Sequence, residues 1–106
     1  MRSLVWLSFD LGVSGDYETM YAWLDEKEAK DCGSSVACFW FEHDGDVAKT
    51  IKAEIEDRVS LNKRSRLYIV YREQNRVKGR FIIGGRKSAP WDGYGIQEEC
   101  YDEQEF

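Results

Sequence analysis

The 106-residue chain is predicted to fold as a single α+β domain, with two helices on one face of a mostly antiparallel sheet. Three observations predict it. Period-2 alternation at Leu4–Asp10 alternates with two helical stripes of period 3.6, and two β-rich runs near the end are joined by a short polar connection. Hydrophobic residues make up 42% and charged residues 33%, a balance that excludes a disordered polar chain, and one proline and nine glycines exclude collagen-like and proline-rich classes. A chain this long buries about 60 to 70% of its unfolded surface, enough for one core without obligatory metals or disulfides. The predicted boundaries are a domain over residues 1–95 and an acidic tail over 96–106.

The first element is a strand ending near Leu11, with Val5, Leu7 and Phe9 on one face and Leu4, Trp6, Ser8 and Asp10 on the other. Gly12, Ser14 and Gly15 form a loop. Asp16 is placed to cap a helix because its carboxylate accepts from the free N–H groups of the first turn. That helix runs to about Glu28, with Tyr17, Met20, Tyr21 and Leu24 as its apolar stripe.

Asp31-Cys-Gly-Ser-Ser35 breaks the following stretch into a short strand around Glu28–Cys32 and a longer one over Ser35–Glu42. In the longer strand Val36-Ala-Cys-Phe-Trp-Phe41 is apolar on both sides, which predicts an interior strand or one covered by a partner. Asp44-Gly45-Asp46 turns the chain and caps a second helix, whose stripe is Ala48, Ile51, Ile55 and Val59. Arg66–Arg72 and Val77–Ile83 then form a hairpin across Glu73-Gln-Asn-Arg76, so the predicted order is β-α-β-β-α-β-β.

Charge is distributed in blocks. The net charge is −5, yet residues 63–87 carry nine basic groups and one acidic, while residues 1–62 carry six basic and thirteen acidic groups and residues 88–106 carry six acidic groups alone. Lys63, Arg64, Arg66, Arg72, Arg76, Lys78, Arg80, Arg86 and Lys87 are therefore the candidate residues for nucleic acid or another anion. Tyr68, Tyr71 and Phe81 interleave with them, a combination of stacking and charge suited to single strands, although alternation sends at least one tyrosine to the core. A bland alternative is a solvated strand face protected from edge pairing by its cations.

Other chemistry is thinly signalled. Cys32 and Cys38 are separated by five residues with only His43 nearby, which does not suit a zinc site, and Cys38 reads as a small core residue. His43, beside Glu42 and Asp44, reads as solvent-exposed. Gly79-Arg-Phe-Ile-Ile-Gly84 has the wrong continuation for a P-loop. No apolar stretch approaches the roughly 18 residues of a membrane span. Leu4–Leu7 is too short and too soon interrupted for a signal peptide, so the expected location is cytoplasmic, with no membrane partner.

The strand ending in Leu7-Ser-Phe-Asp10, the amphipathic helix after it, the Gly-Ser connection into Cys32-Gly-Ser-Ser-Val-Ala-Cys-Phe-Trp40, and a later Ile/Val/Tyr-rich strand together resemble a known superfamily. It is the ferredoxin-like group that holds the second CRISPR-associated (Cas) protein, the VapD toxins and the SinR-like small proteins. The resemblance covers roughly residues 4–73. It implies a ferredoxin-like β-α-β-β-α-β fold, here with an additional C-terminal strand, and a homodimer in which first-strand aspartates approach each other. In some members those aspartates hold a divalent metal for phosphodiester hydrolysis, which makes Asp10 the candidate catalytic and metal residue, with Mg²⁺ as the cation; the alternative is that Asp10 ends its strand and hydrogen-bonds the following loop as an Asx turn. Two functional expectations follow. One is a small dimerising module whose basic hairpin meets an acidic surface, either of a partner or of its own tail, Gln97–Phe106; the other is a nucleic-acid-binding protein or metal-dependent nuclease using Asp10 and the basic hairpin.

Overall fold

The computed structural model describes residues 1–95, so the predicted acidic tail, residues 96–106, lies outside the described residues. The elements are β1 (Arg2–Asp10), α1 (Tyr17–Glu26), β2 (Lys30–Asp31), β3 (Val36–Glu42), α2 (Val47–Arg58), β4 (Arg66–Glu73) and β5 (Arg76–Ile83). The five strands form one sheet in the order β2-β3-β1-β4-β5, and every neighbouring pair is antiparallel. Over the described residues the fold is thus α+β, with a five-strand antiparallel sheet and the two helices α1 and α2. No helix of the described residues is long and apolar enough to cross a membrane.

Alternation in the three central strands puts one row of side chains from each into the core. Val5, Leu7 and Phe9 of β1, Ala37, Phe39 and Phe41 of β3, and Leu67, Ile69 and Tyr71 of β4 are all buried. Against them pack Met20, Trp23 and Leu24 of α1 and Val47, Ala48, Ile51 and Ile55 of α2. Both helices therefore lie on one face of the sheet, and among the described residues no layer covers the other face.

The stripe expected for α1 needs correction. Tyr21 is mostly exposed and Trp23 is fully buried, so the core-facing arc is rotated toward Trp23. The indole is held there by three contacts: an edge-on ring packing with Phe39 at 5.4 Å, an Nε1–H bond to Glu54 Oε1 at 3.2 Å, and the Lys27 ammonium 5.4 Å above its ring. Its one polar atom is satisfied across the helix pair, which allows so large a side chain to be buried at no hydrogen-bond cost.

Both aspartates expected as caps act as caps. Asp16 Oδ1 accepts the Thr19 N–H at 3.2 Å, and Asp16 Oδ2 accepts the Ser60 N–H at 3.1 Å, tying the start of α1 to the chain leaving α2. The Ser60 and Thr19 N–H groups hold the Asp16 carboxyl below the usual carboxylate range. Asp46 accepts from Lys49 N–H at 3.0 Å, and its pKa is lowered by that bond first.

Three more local readings change. The short strand expected around Glu28–Cys32 is two residues long. α1 ends at Glu26, with Glu28 in the left-handed region at φ 56°. The hairpin closes through Gln74 (φ 51°) and Asn75 (φ 65°), the paired positive angles of a type I′ turn, without the glycine that usually marks one.

Replacing Trp23 by Ala removes a fully buried ring and leaves a cavity between α1, α2 and β3. The expected loss is about 3–5 kcal/mol of unfolding free energy, read from urea denaturation, with the midpoint falling and the slope unchanged.

Candidate functional site

The face without helices is built by the residues that alternate with the core. Antiparallel register aligns them in rows that cross the sheet. One row runs Lys30, Cys38, Trp6, Val70, Gly79 from edge to edge; the next runs Val36, Ser8, Tyr68, Phe81. Trp40 lies opposite Leu4, and Val77 opposite Arg72. Large apolar groups are left open to solvent there: Trp6 is 39% exposed, Trp40 54%, Phe81 39% and Val77 74%.

β3 is interior to the sheet as expected, between β2 and β1, but only one of its two apolar faces enters the core. Ala37, Phe39 and Phe41 are in the core, whereas Cys38 is half-buried on the open face and Trp40 is uncovered. Cys38 is accordingly not a core residue. Burial, and then the neighbouring Cys32 thiol, push its pKa upward.

Tyr68 covers much of the β4–β5 half of this face. Its ring meets Phe81 edge-on at 5.0 Å and lies across β5 at Gly79, where a Cβ would come within 2.6 Å of the phenol oxygen. Glycine in this strand leaves room for the ring to lie across the neighbouring backbone.

Mixed charges border the apolar centre. At one end of the strands Arg2 pairs in register with Glu42, its guanidinium 4.7 Å from the Trp40 ring centroid, and Arg72 is nearby on β4. At the other end Asp10 pairs with Arg66. A depression of about 510 Å³ opens at the first end, lined by Arg2, Leu4, Trp6, Trp40, Arg72 and Val77 among others.

Asp10, the candidate catalytic and metal residue, is engaged locally. One carboxylate oxygen accepts the Gly12 N–H at 3.0 Å, closing an Asx turn whose glycine takes φ +76°; the other is 3.8 Å from the Arg66 guanidinium. Among the described residues no group of three or more His, Cys, Asp or Glu side chains gathers in a way that would hold a metal ion.

The nine basic candidates separate into three sets. Arg66 and Arg72 are on the open face, alternating with core-facing Leu67, Ile69 and Tyr71. Arg76, Lys78 and Arg80 lie opposite Glu73, Tyr71 and Ile69 and therefore project on the helix side of β5. Lys78 is bound to Glu73 at 2.6 Å, and Arg80 acts on Asp46. The aromatic and basic residues that interleave in sequence are thus divided between faces, and Tyr71 is the tyrosine that enters the core. The third set, Lys63 and Arg64 with Arg86 and Lys87, belongs to the segments before β4 and after β5, which approach each other at Gly84 and the Ser65 carbonyl.

His43 is the residue most misjudged from sequence. It is buried, stacked at 6.1 Å on Phe41, with Nδ1–H donating to the Gly45 carbonyl at 2.8 Å and Nε2 accepting from the Ser3 hydroxyl at 2.8 Å. Its own N–H donates to the Met1 carbonyl at 2.9 Å, so it fastens the start of β1 to the end of β3. That is structural work, with both ring nitrogens occupied.

No family model matches the chain, and neither a curated protein nor a solved structure matches it.

The Gly79→Ala variant is expected to push Tyr68 off β5, because its new methyl would meet the phenol. Overpacking of this kind costs about 1–3 kcal/mol, and loss of near-ultraviolet tyrosine dichroism with retained far-ultraviolet signal identifies the displaced ring.

Proposed function

We propose that this chain is a ferredoxin-like assembly module that forms a homodimer by packing the open sheet face of one copy on that of another. Support for the ferredoxin-like assignment is the element order and the arrangement β4-β1-β3-β2, to which β5 adds a fifth strand at the β4 edge. The observation that carries the dimer is the uncovered face itself. Its centre is aromatic and aliphatic, and its border has a basic and an acidic group at each end, Arg2 with Glu42 and Arg66 with Asp10.

A second copy suits that border better than a polyanion does, since phosphates would be brought against Glu42 and Asp10 while a two-fold partner can set each sign against its opposite. Size is adequate. Four long strands about 4.8 Å apart and about 27 Å long make a plane of roughly 500 Å² before side-chain relief, of the order of the ~800 Å² per partner in a stable interface.

The test is analytical ultracentrifugation. Wild type is expected to sediment at twice the chain mass at micromolar concentration, and Trp6→Glu as a folded monomer, because a carboxylate would be buried unpaired at the centre of the contact. A wild type that stays monomeric well above micromolar concentration overturns the reading.

A second reading is favoured by one observation, the gathering of Arg64 and Arg66 beside Asp10 at that end of the sheet, with Arg86 and Lys87 following in sequence the Gly84 that packs on Ser65. These cations form a site for nucleic-acid phosphates, with Asp10 and Mg²⁺ the candidate centre if strands are cleaved. Binding to labelled RNA and DNA is then expected to weaken with salt, and Arg64→Ala with Arg86→Ala to lower the logarithmic salt slope by about two. Cleavage that needs Mg²⁺ and disappears in Asp10→Asn would make it a nuclease. No salt-sensitive binding overturns this second reading.

A further inference from the structure

Beside the aromatic centre of the open face the β2–β3 hairpin carries two cysteines. Lys30 is opposite Cys38 and Asp31 opposite Ala37, and the Cys32 N–H continues the ladder to the Val36 carbonyl at 2.9 Å. Cys32, two residues beyond Lys30, therefore falls on the same face as Cys38 and one step along it. The two thiols are diagonal neighbours at the rim of the open face, across the turn Gly33-Ser34-Ser35. Neither is in a disulfide; Cys32 is exposed, Cys38 half-buried.

We propose that Cys32 and Cys38 are a reversible redox pair that closes to an intramolecular disulfide when a peroxide reaches the edge of the sheet. Cys32, the exposed member, supplies the attacking thiolate. Its sulfur takes one peroxide oxygen as the O–O bond breaks, leaving a sulfenic acid on Cys32 and hydroxide, which gains a proton to become water. Cys38 then attacks the Cys32 sulfur. The S–S bond forms, the S–O bond breaks, and the departing hydroxide combines with the proton released by the Cys38 thiol as a second water. Two thiols have lost two electrons and two protons, and one peroxide has become two waters. A dithiol reductant reverses the change by exchange.

Geometry explains why the bond would be reversible and why it would matter. Diagonal neighbours in an antiparallel pair have Cα atoms about 7–8 Å apart, beyond the roughly 4.4–6.8 Å that a disulfide spans. Closure must draw in β2 and its turn, which are held by two residues of ladder and the Cys32 N–H bond to Val36. Strained disulfides of this kind are the easily reduced ones. Cys38 is also the cross-strand neighbour of Trp6, so pulling it toward Cys32 strips packing from one side of that indole. If the open face is the dimer contact proposed above, oxidation weakens the dimer; that coupling rests on the earlier reading, whereas the disulfide does not.

The experiment uses the full chain carrying Cys100→Ser, so that only these two thiols report. After hydrogen peroxide, both thiols are expected to resist maleimide alkylation together, the tryptic mass to fall by two hydrogens, and both to recover with dithiothreitol. Adding Cys32→Ser or Cys38→Ser must leave the remaining thiol unable to form that internal bond. Cys32 driven to sulfinic acid while Cys38 still alkylates, or a disulfide found only between chains, overturns the proposal. Sedimentation of oxidised and reduced protein is read separately. A monomer in both states defeats the dimer reading and leaves the disulfide result standing.

Discussion

The alternation of β1 is the constraint on which the rest depends. This strand is paired along its length with β3 on one side and along its second half with β4 on the other, so its register propagates to both. Val5, Leu7 and Phe9 commit one face to the helices, and with a side-chain period of two the same decision exposes Trp6, Ser8 and Asp10 on the other. A slip of one residue would exchange the two sets. His43 opposes such a slip from outside the ladder, because its bonds to Ser3, Gly45 and Met1 hold β1 and the end of β3 in one alignment.

Legibility in the sequence followed the strength of local periodicity. The α2 stripe of Ala48, Ile51, Ile55 and Val59 is buried as read, as are the β1 positions, because in both the apolar period matches the geometry without competition. α1 offers aromatics on several sides, and periodicity alone cannot say that Trp23, with Glu54 available to its N–H, outranks Tyr21 for the interior. β2 was expected at greater length because the pairing that limits it depends on where β3 begins. His43 was misread for a similar reason: its partners, Ser3 and Met1, are distant in the chain and nothing local announces them.

At the candidate site, sequence supplied the ingredients and missed the sorting. The basic run from Lys63 to Lys87 is evident from charge, yet a strand sends successive residues to opposite faces, and the two-residue turn at Gln74-Asn75 sets which residues of β5 lie opposite core-facing Tyr71 and Ile69. Arg72 and Arg80 are thereby placed on different sides of a thin sheet. Trp40 and Cys38 read as buried because an apolar strand interior to a sheet is usually covered on both faces. Their exposure reflects a single helical layer, a feature of the whole topology. Asp10 illustrates the reverse: its Asx bond to Gly12 is a two-residue relation and was foreseeable from the Asp-Leu-Gly spacing.

The outer strand β5 carries a further consequence. Among the described residues it ends the sheet, with backbone groups that have no neighbouring strand, and edges of that kind invite addition of strand upon strand. Along it Arg76, Lys78 and Arg80 recur on every second residue. Two copies meeting edge to edge would set these cations against one another, with Glu73 alone of their own hairpin to offset them. Growth into an open filament is discouraged at this edge by like-charge repulsion, whereas the association proposed through the sheet face would close on itself by symmetry and stay finite.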